Sequence, residues 1–155
     1  MISLAATLHR TLCIALVAAT GLACSRGPEV SAAIRSLIDQ RHADVVRLAD
    51  ATPFAWDQVY LFDPYAPRSH VCATLHLAHQ ECRHQVPRES NDDGVMTMAF
   101  LADGKLVHYL YHRRIDGDFA PVPSTQPLTP RTAVFRILRE DNPRGASPWY
   151  RLVLE

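Results

Sequence analysis

The sequence predicts an α+β fold, a mostly antiparallel sheet of five or six strands with two helices packed on one face. Three observations predict it. Two segments carry apolar residues at helical spacing, several short runs are rich in β-branched and aromatic residues, and an Asp-Gly loop separates two of those runs. Runs of strands with helices set apart from them give this class, because each apolar face needs another layer to cover it.

Taken in order, residues 24–28 read as a tether and 29–155 as one domain. Glu29 to about His42 is expected to be helical, since Ile34, Leu37 and Ile38 recur at intervals of three and four. Val45 to Ala49 is short, β-branched and nearly alternating, which predicts a strand; Ala51-Thr52-Pro53 ends it, because proline has no N–H for a ladder. Gln58 to Phe62 is a second strand, with Val59 and Leu61 on one face and Tyr60 and Phe62 on the other. Apolar residues on both faces predict a central position.

Pro67 to about Ala78 reads as a helix, with Val71, Leu75 and Ala78 in one stripe and Pro67 suited to a first turn. A polar stretch from Arg83 to Asp93 follows, and Asn91-Asp92-Asp93-Gly94 turns the chain. Val95 to Leu101 and Lys105 to His112 flank Ala102-Asp103-Gly104, a β-hairpin signature. Ile115 to Thr129, with Pro121, Pro123 and Pro127, reads as a covering loop. Thr132 to Arg139 fits a helix capped by Thr129-Pro130 and also a strand, because Ala133, Phe135 and Ile137 alternate. The strand is preferred, since it forms a second hairpin with Trp149 to Leu154 across Asp141-Asn142-Pro143-Arg144-Gly145.

The first 23 residues have the make-up of a signal peptide. Arg10 precedes an apolar run from Leu12 to Ala19, and the uncharged stretch from Thr11 to Ser25 is 15 residues long. That is short of the ~20 needed to span a bilayer, and the run shows no polar face that would suit a buried helix. Gly21-Leu22-Ala23-Cys24 resembles a bacterial lipobox, with Gly21 standing where leucine is preferred. Ordinary signal-peptide cleavage would also fall after Ala23, so the mature chain is 155 less 23, or 132 residues, by either route. The lipoprotein route is expected, with a diacylglycerol thioether and palmitate-type acylation at Cys24. Ser25 lacks the acidic character of an inner-membrane retention signal, so the expected address is the outer membrane facing the periplasm; a soluble periplasmic or secreted form is the alternative.

Cysteine arithmetic agrees. Of four cysteines, Cys13 leaves with the leader and Cys24 takes the lipid, which leaves Cys72 and Cys82 as an even pair in an oxidising compartment. Their bridge would close a loop of about eleven residues and stabilise by up to ~3 kcal/mol. Removing the leader's one base leaves 15 basic against 16 acidic residues, a charge of −1. No bulk field draws the chain to nucleic acid, and none is expected as a partner.

Phe54-Ala55-Trp56-Asp57-Gln58-Val59-Tyr60-Leu61-Phe62-Asp63-Pro64-Tyr65 resembles a segment found in a group of small, functionally uncharacterised bacterial lipoproteins. These carry Trp-Asp, a tyrosine shortly after, then an aromatic residue and Pro-Tyr. The likeness continues at Asp103-Gly104-Lys105 and at Arg113-Arg114-Ile115-Asp116-Gly117-Asp118-Phe119, about half of the mature chain. Asp63 departs from the pattern, and the Cys72/Cys82 pair lies outside it. The resemblance implies a lipoprotein with one α+β domain, and it implies no activity.

Cys72-x3-His76-x2-His79-x2-Cys82-x-His84 is the segment richest in ligating side chains. Thiolate and imidazole suit zinc, but the spacing matches no metal motif and exported cysteines oxidise, so a disulfide is expected and no metal. His108 and His112 share a face of the second hairpin strand with Leu106 and Leu110, and are expected to be half-exposed. Asp57, Tyr65, Arg114 and Asp118 are the candidate ligand surface. They could line a pocket for an anion or for proton transfer; alternatively Asp57 caps a turn, and Arg114 with Asp118 pins the loop after the hairpin. No nucleophile elbow or phosphate-binding glycine pattern occurs, so no catalytic residue and no cofactor is assigned.

These readings converge on a periplasm-facing lipoprotein, attached to the membrane by its lipid, that acts without catalysis as a binding or interaction module for an envelope protein. Two alternatives stand beside it. One is an immunity-type inhibitor of a periplasmic toxin; the other is a small enzyme or ligand-binding protein using Asp57, Tyr65, Arg114 and Asp118.

Overall fold

Helix α1 (Gly27–Arg41) presents Val30, Ile34 and Ile38 in a single stripe, and all three are buried. Each such side chain contributes about 2 kcal/mol of transfer free energy. The stripe packs on a core supplied by two three-stranded antiparallel sheets. The computed structural model describes residues 27–41, 43–123, 126–141 and 147–155. The expected signal peptide (1–23), the lipid site at Cys24, the start of the tether and the centre of the turn at 142–145 lie outside the described residues.

The strands are β1 (Val45–Arg47), β2 (Gln58–Phe62), β3 (Val95–Ala102), β4 (Lys105–Arg113), β5 (Val134–Glu140) and β6 (Trp149–Leu154). One sheet has the order β1-β5-β6 and the other β2-β3-β4. The fold is therefore α+β with six strands, in two sheets where one was expected. Residues 132–139 do carry a strand, β5, paired with β6 from Phe135↔Leu154 to Glu140↔Trp149. The first expected strand is shorter, because after Arg47 the chain winds into a 3-10 turn at Leu48–Ala51.

The loop after β4 touches both sheets. Its Asp118 bridges Arg151 of β6, and its Leu128 bridges Val59 of β2. Pro121, Pro123 and Pro127 remove donors from this stretch, so it stitches the sheets at single points and forms no ladder.

The second correction concerns the helices. There are three among the described residues, and they cover opposite faces of β2-β3-β4. Met96, Met98 and Phe100 of β3 point into the core shared with α1, while Ala99 and Leu101 point to α2 (Arg68–Thr74) and α3 (His79–Gln85). The single helix expected over Pro67–Ala78 thus breaks after Thr74, where His76 takes a φ of 54°, and restarts at His79. At the restart the backbone N–H of Ala78 donates to Glu81 Oε2 at 3.1 Å. Double coverage also corrects the place of β2. It is an edge of its sheet, and β3 is the centre; both faces of β2 are apolar because both have helices or strands over them.

One irregularity sets the faces of β4. Phe100 pairs with His108, but Leu101 pairs with Leu106, so Val107 has no opposite number. This bulge moves Leu106 to the α2/α3 side, while His108 faces the other core against Phe54 and Phe100. Leu106 and His108 therefore do not share a face, contrary to the expectation from an unbroken period of two.

Candidate functional site

Of the four polar candidates, Arg114 and Asp118 are paired, and Asp57 is committed elsewhere. Asp57 precedes β2, where its Oδ2 accepts from the Asp103 N–H at 2.6 Å and so caps the hairpin loop. Asp103 has a φ of 51°, a conformation that an extra hydrogen bond helps to hold. Tyr65 lies beyond the other end of β2, about 16 Å away by the rise of a five-residue strand. It is 57% exposed, with a φ of 63°, at the tip of a turn closed by Ala66 N–H donating to Asp63 O.

Arg114 and Asp118 form the best-built polar pair. The guanidinium donates through Nε and Nη2 to both carboxylate oxygens, at 2.7 and 2.9 Å, and through Nη1 to Asp93 O at 2.8 Å. Trp149 Nε1 adds a third bond to Asp118 Oδ2 at 3.0 Å, and its ring lies beneath Arg114 at 5.9 Å. The bond to Asp118 raises the Arg114 pKa from its ordinary value, against an opposing effect of burial. The cavity that this pair helps to line, with Asp63, Met96, Phe119 and Val122, holds about 110 Å³. Ligand pockets run from ~300 Å³, so this one has room for water and little more.

His112, expected half-exposed, is fully buried. Its Nε2 is 2.7 Å from Gly117 O and its Nδ1 is 2.8 Å from Ser31 Oγ. A carbonyl can only accept, so the proton sits on Nε2 and the Ser31 hydroxyl donates to Nδ1. Burial pushes the imidazole pKa down. The Gly117 bond, Asp116 and Asp118 oppose that shift, and Arg113 adds to it. The result is a neutral imidazole linking α1, β4 and the loop after it.

Cys72 and Cys82 form a disulfide between α2 and α3, with Cα atoms 5.6 Å apart. Among the described residues no group of three or more His, Cys, Asp or Glu side chains is arranged to hold a metal ion.

A further concavity lies elsewhere, between α1 and the outer edge of β4, a cleft of about 600 Å³. Ser31 and Ala32 of α1 form one wall, and the edge of β4 from Tyr109 to Tyr111 the other; Arg113 and Asp116 complete it. Both phenols are fixed. Tyr111 donates to Arg88 O at 2.8 Å and Tyr109 to the same carbonyl at 3.5 Å, with the Arg88 guanidinium 5.6 Å over the Tyr111 ring. Burial pushes the Tyr109 pKa up to about 12, against a lowering bond with Thr97, so this phenol stays protonated as a donor. Arg113 closes one end by two bonds to Asp116, at 2.8 and 3.0 Å. No described strand pairs with this edge of β4.

Sequence reasoning missed this cleft. The period-two placement of Tyr109 and Tyr111 was visible, but nothing in the chain announced that Ser31 and Ala32 would stand opposite. Among the described residues no helix is long and apolar enough to cross a membrane. No family model matches the chain, and neither a curated protein nor a solved structure matches it.

Proposed function

We propose that this chain is a lipoprotein held at the envelope through Cys24, facing the periplasm from the outer membrane, and that its folded part is a binding or interaction module. The observation that carries the binding reading is the local commitment of the polar candidates. Asp57 caps a loop, and Arg114 and Asp118 satisfy each other with Trp149, so these groups serve architecture before chemistry. The surface offers instead a preformed cleft and an exposed tyrosine on a turn. The Cys72–Cys82 bridge supports export to an oxidising compartment. The lipobox-like Gly21-Leu22-Ala23-Cys24 and the likeness to small lipoproteins support the anchor.

Metabolic labelling with a palmitate analogue in an exporting bacterium tests the anchor. The expected result is label on the full-length chain and none on Cys24→Ala. An unlabelled chain in the cytosol, still carrying Met1, overturns it. A photo-reactive benzoylphenylalanine in place of Tyr65 tests the interaction half. A discrete cross-linked adduct in intact cells is expected, and no adduct at any expression level would retire that half.

A further inference from the structure

We infer that the cleft between α1 and β4 is a membrane-contact site that takes an acyl chain of the bilayer to which the protein is tethered. The inference rests on the lipoprotein reading for the position of the anchor. Cys24 precedes the first residue of α1 by three positions, a reach of about 10 Å at most. Ser31 lies four residues into the helix, about 6 Å further. A domain hung from Cys24 therefore has this end of α1, and the cleft beside it, close to the headgroups.

The side chains on that edge have the chemistry of a membrane interface. Three large apolar side chains are exposed among the described residues, and two of them, Val107 (47%) and Ile115 (57%), lie on β4 and the turn after it. The Ile115 carbonyl accepts from Arg35 of α1 at 3.2 Å, which sets it one helical turn from Ser31. The Tyr109 and Tyr111 rings turn to the other face of the sheet, toward Arg88, and Lys105 and Arg113 stand exposed at the two ends of the strand. Basic side chains flanking exposed apolar ones are a composition that settles at headgroup level. Ala32, exposed on α1 with Leu110 of the core behind it, gives the cleft apolar lining that a headgroup does not need and an acyl chain does.

A second copy of the chain fits the edge poorly. Antiparallel pairing of β4 with itself would set Lys105 against Arg113 of the other copy, and the bulge at Val107 would interrupt the ladder.

The test separates cleft from anchor by supplying the tether artificially. The exported chain carrying Cys24→Ser, a hexahistidine insertion in the tether and Ala32→Cys is labelled with an environment-sensitive nitrobenzoxadiazole dye. It is then held on phosphatidylethanolamine–phosphatidylglycerol vesicles through a nickel-chelating lipid. The same dye at Arg136→Cys, exposed on β5, is the control. Expected are a blue shift and quenching by brominated acyl chains at position 32, and neither at 136. Val107→Glu with Ile115→Glu, both at exposed positions, should weaken untethered vesicle partitioning about tenfold and leave the melting temperature unchanged. Equal responses at 32 and 136, or none at 32, overturn the cleft assignment, as does a co-purifying polypeptide that blocks labelling at 32. Quenching at 32 in a chain whose Cys24 is never acylated in cells would leave the cleft standing and remove the anchor.

Discussion

Acidification should loosen this protein through His112, and the size of the effect follows from its surroundings. The folded state holds the imidazole neutral, with its pKa pushed below the ordinary 6.5 mainly by burial. The unfolded chain takes up a proton near 6.5 that the folded state refuses, so below that pH the unfolded state binds more protons. The stabilisation from His112 is thus fully present above pH 6.5 and is lost as pH falls, at up to about 1.4 kcal/mol per unit for one proton. One proton bounds the loss between pH 6.5 and 5 at under about 2 kcal/mol, against the 5–15 kcal/mol typical of a domain.

The comparison is urea unfolding of wild type and the double variant Ser31→Ala/His112→Leu, each from pH 7.5 to 5. The variant removes the titrating ring and its hydroxyl partner together, leaving Gly117 O as the unpaired group, at a cost of about 1–3 kcal/mol at neutral pH. Other histidines and the carboxylates titrate in both proteins and cancel in the difference. Wild type should lose stability faster, so that the two curves converge as pH falls below 6.5, by no more than about 1.4 kcal/mol per unit. Curves that fall in parallel would refute the assignment of a neutral, proton-refusing His112.

Three further outcomes are expected. Reducing the Cys72–Cys82 bridge, or replacing both cysteines with serine, should lower the unfolding free energy by about 3 kcal/mol from loop entropy, read as a shift in urea midpoint; an unmoved midpoint contradicts it. Gly117→Ala should cost about 3 kcal/mol by the same measurement. Gly117 has a φ of 141°, and an added Cβ would stand 2.9 Å from Leu152 and 3.0 Å from Ile34; a near-neutral variant would mean that the loop and α1 give way freely. Arg114→Ala should cost about 2 kcal/mol, since it strands the buried Asp118 carboxylate with only Trp149 for company, and Trp149 emission should shift as its ring loses the covering guanidinium.

Local chemistry was enough for the elements whose cues are local. Asp103-Gly104 marked the hairpin of β3 and β4, the apolar stripe at Ile34 and Ile38 marked α1, and the alternation of Phe135 and Ile137 marked β5 against the competing helix. Cysteine parity pointed to the Cys72–Cys82 bridge. These follow from periodicity and turn stereochemistry, which act within a few residues. A bulge, by contrast, depends on the partner strand, so the face of His108 could not be counted out from β4 alone.

Apolar residues on both faces of β2 pointed to a central position, whereas β2 is an edge strand covered on both faces. Which element supplies each cover is a matter of packing between distant segments, and only the tertiary structure decided it. Ser31 meets His112 across 81 positions of sequence, and the α1–β4 cleft exists where the small side chains of Ser31 and Ala32 stand beside the edge of β4. Such a juxtaposition is fixed by the summed burial of the whole core, and no single segment carries it.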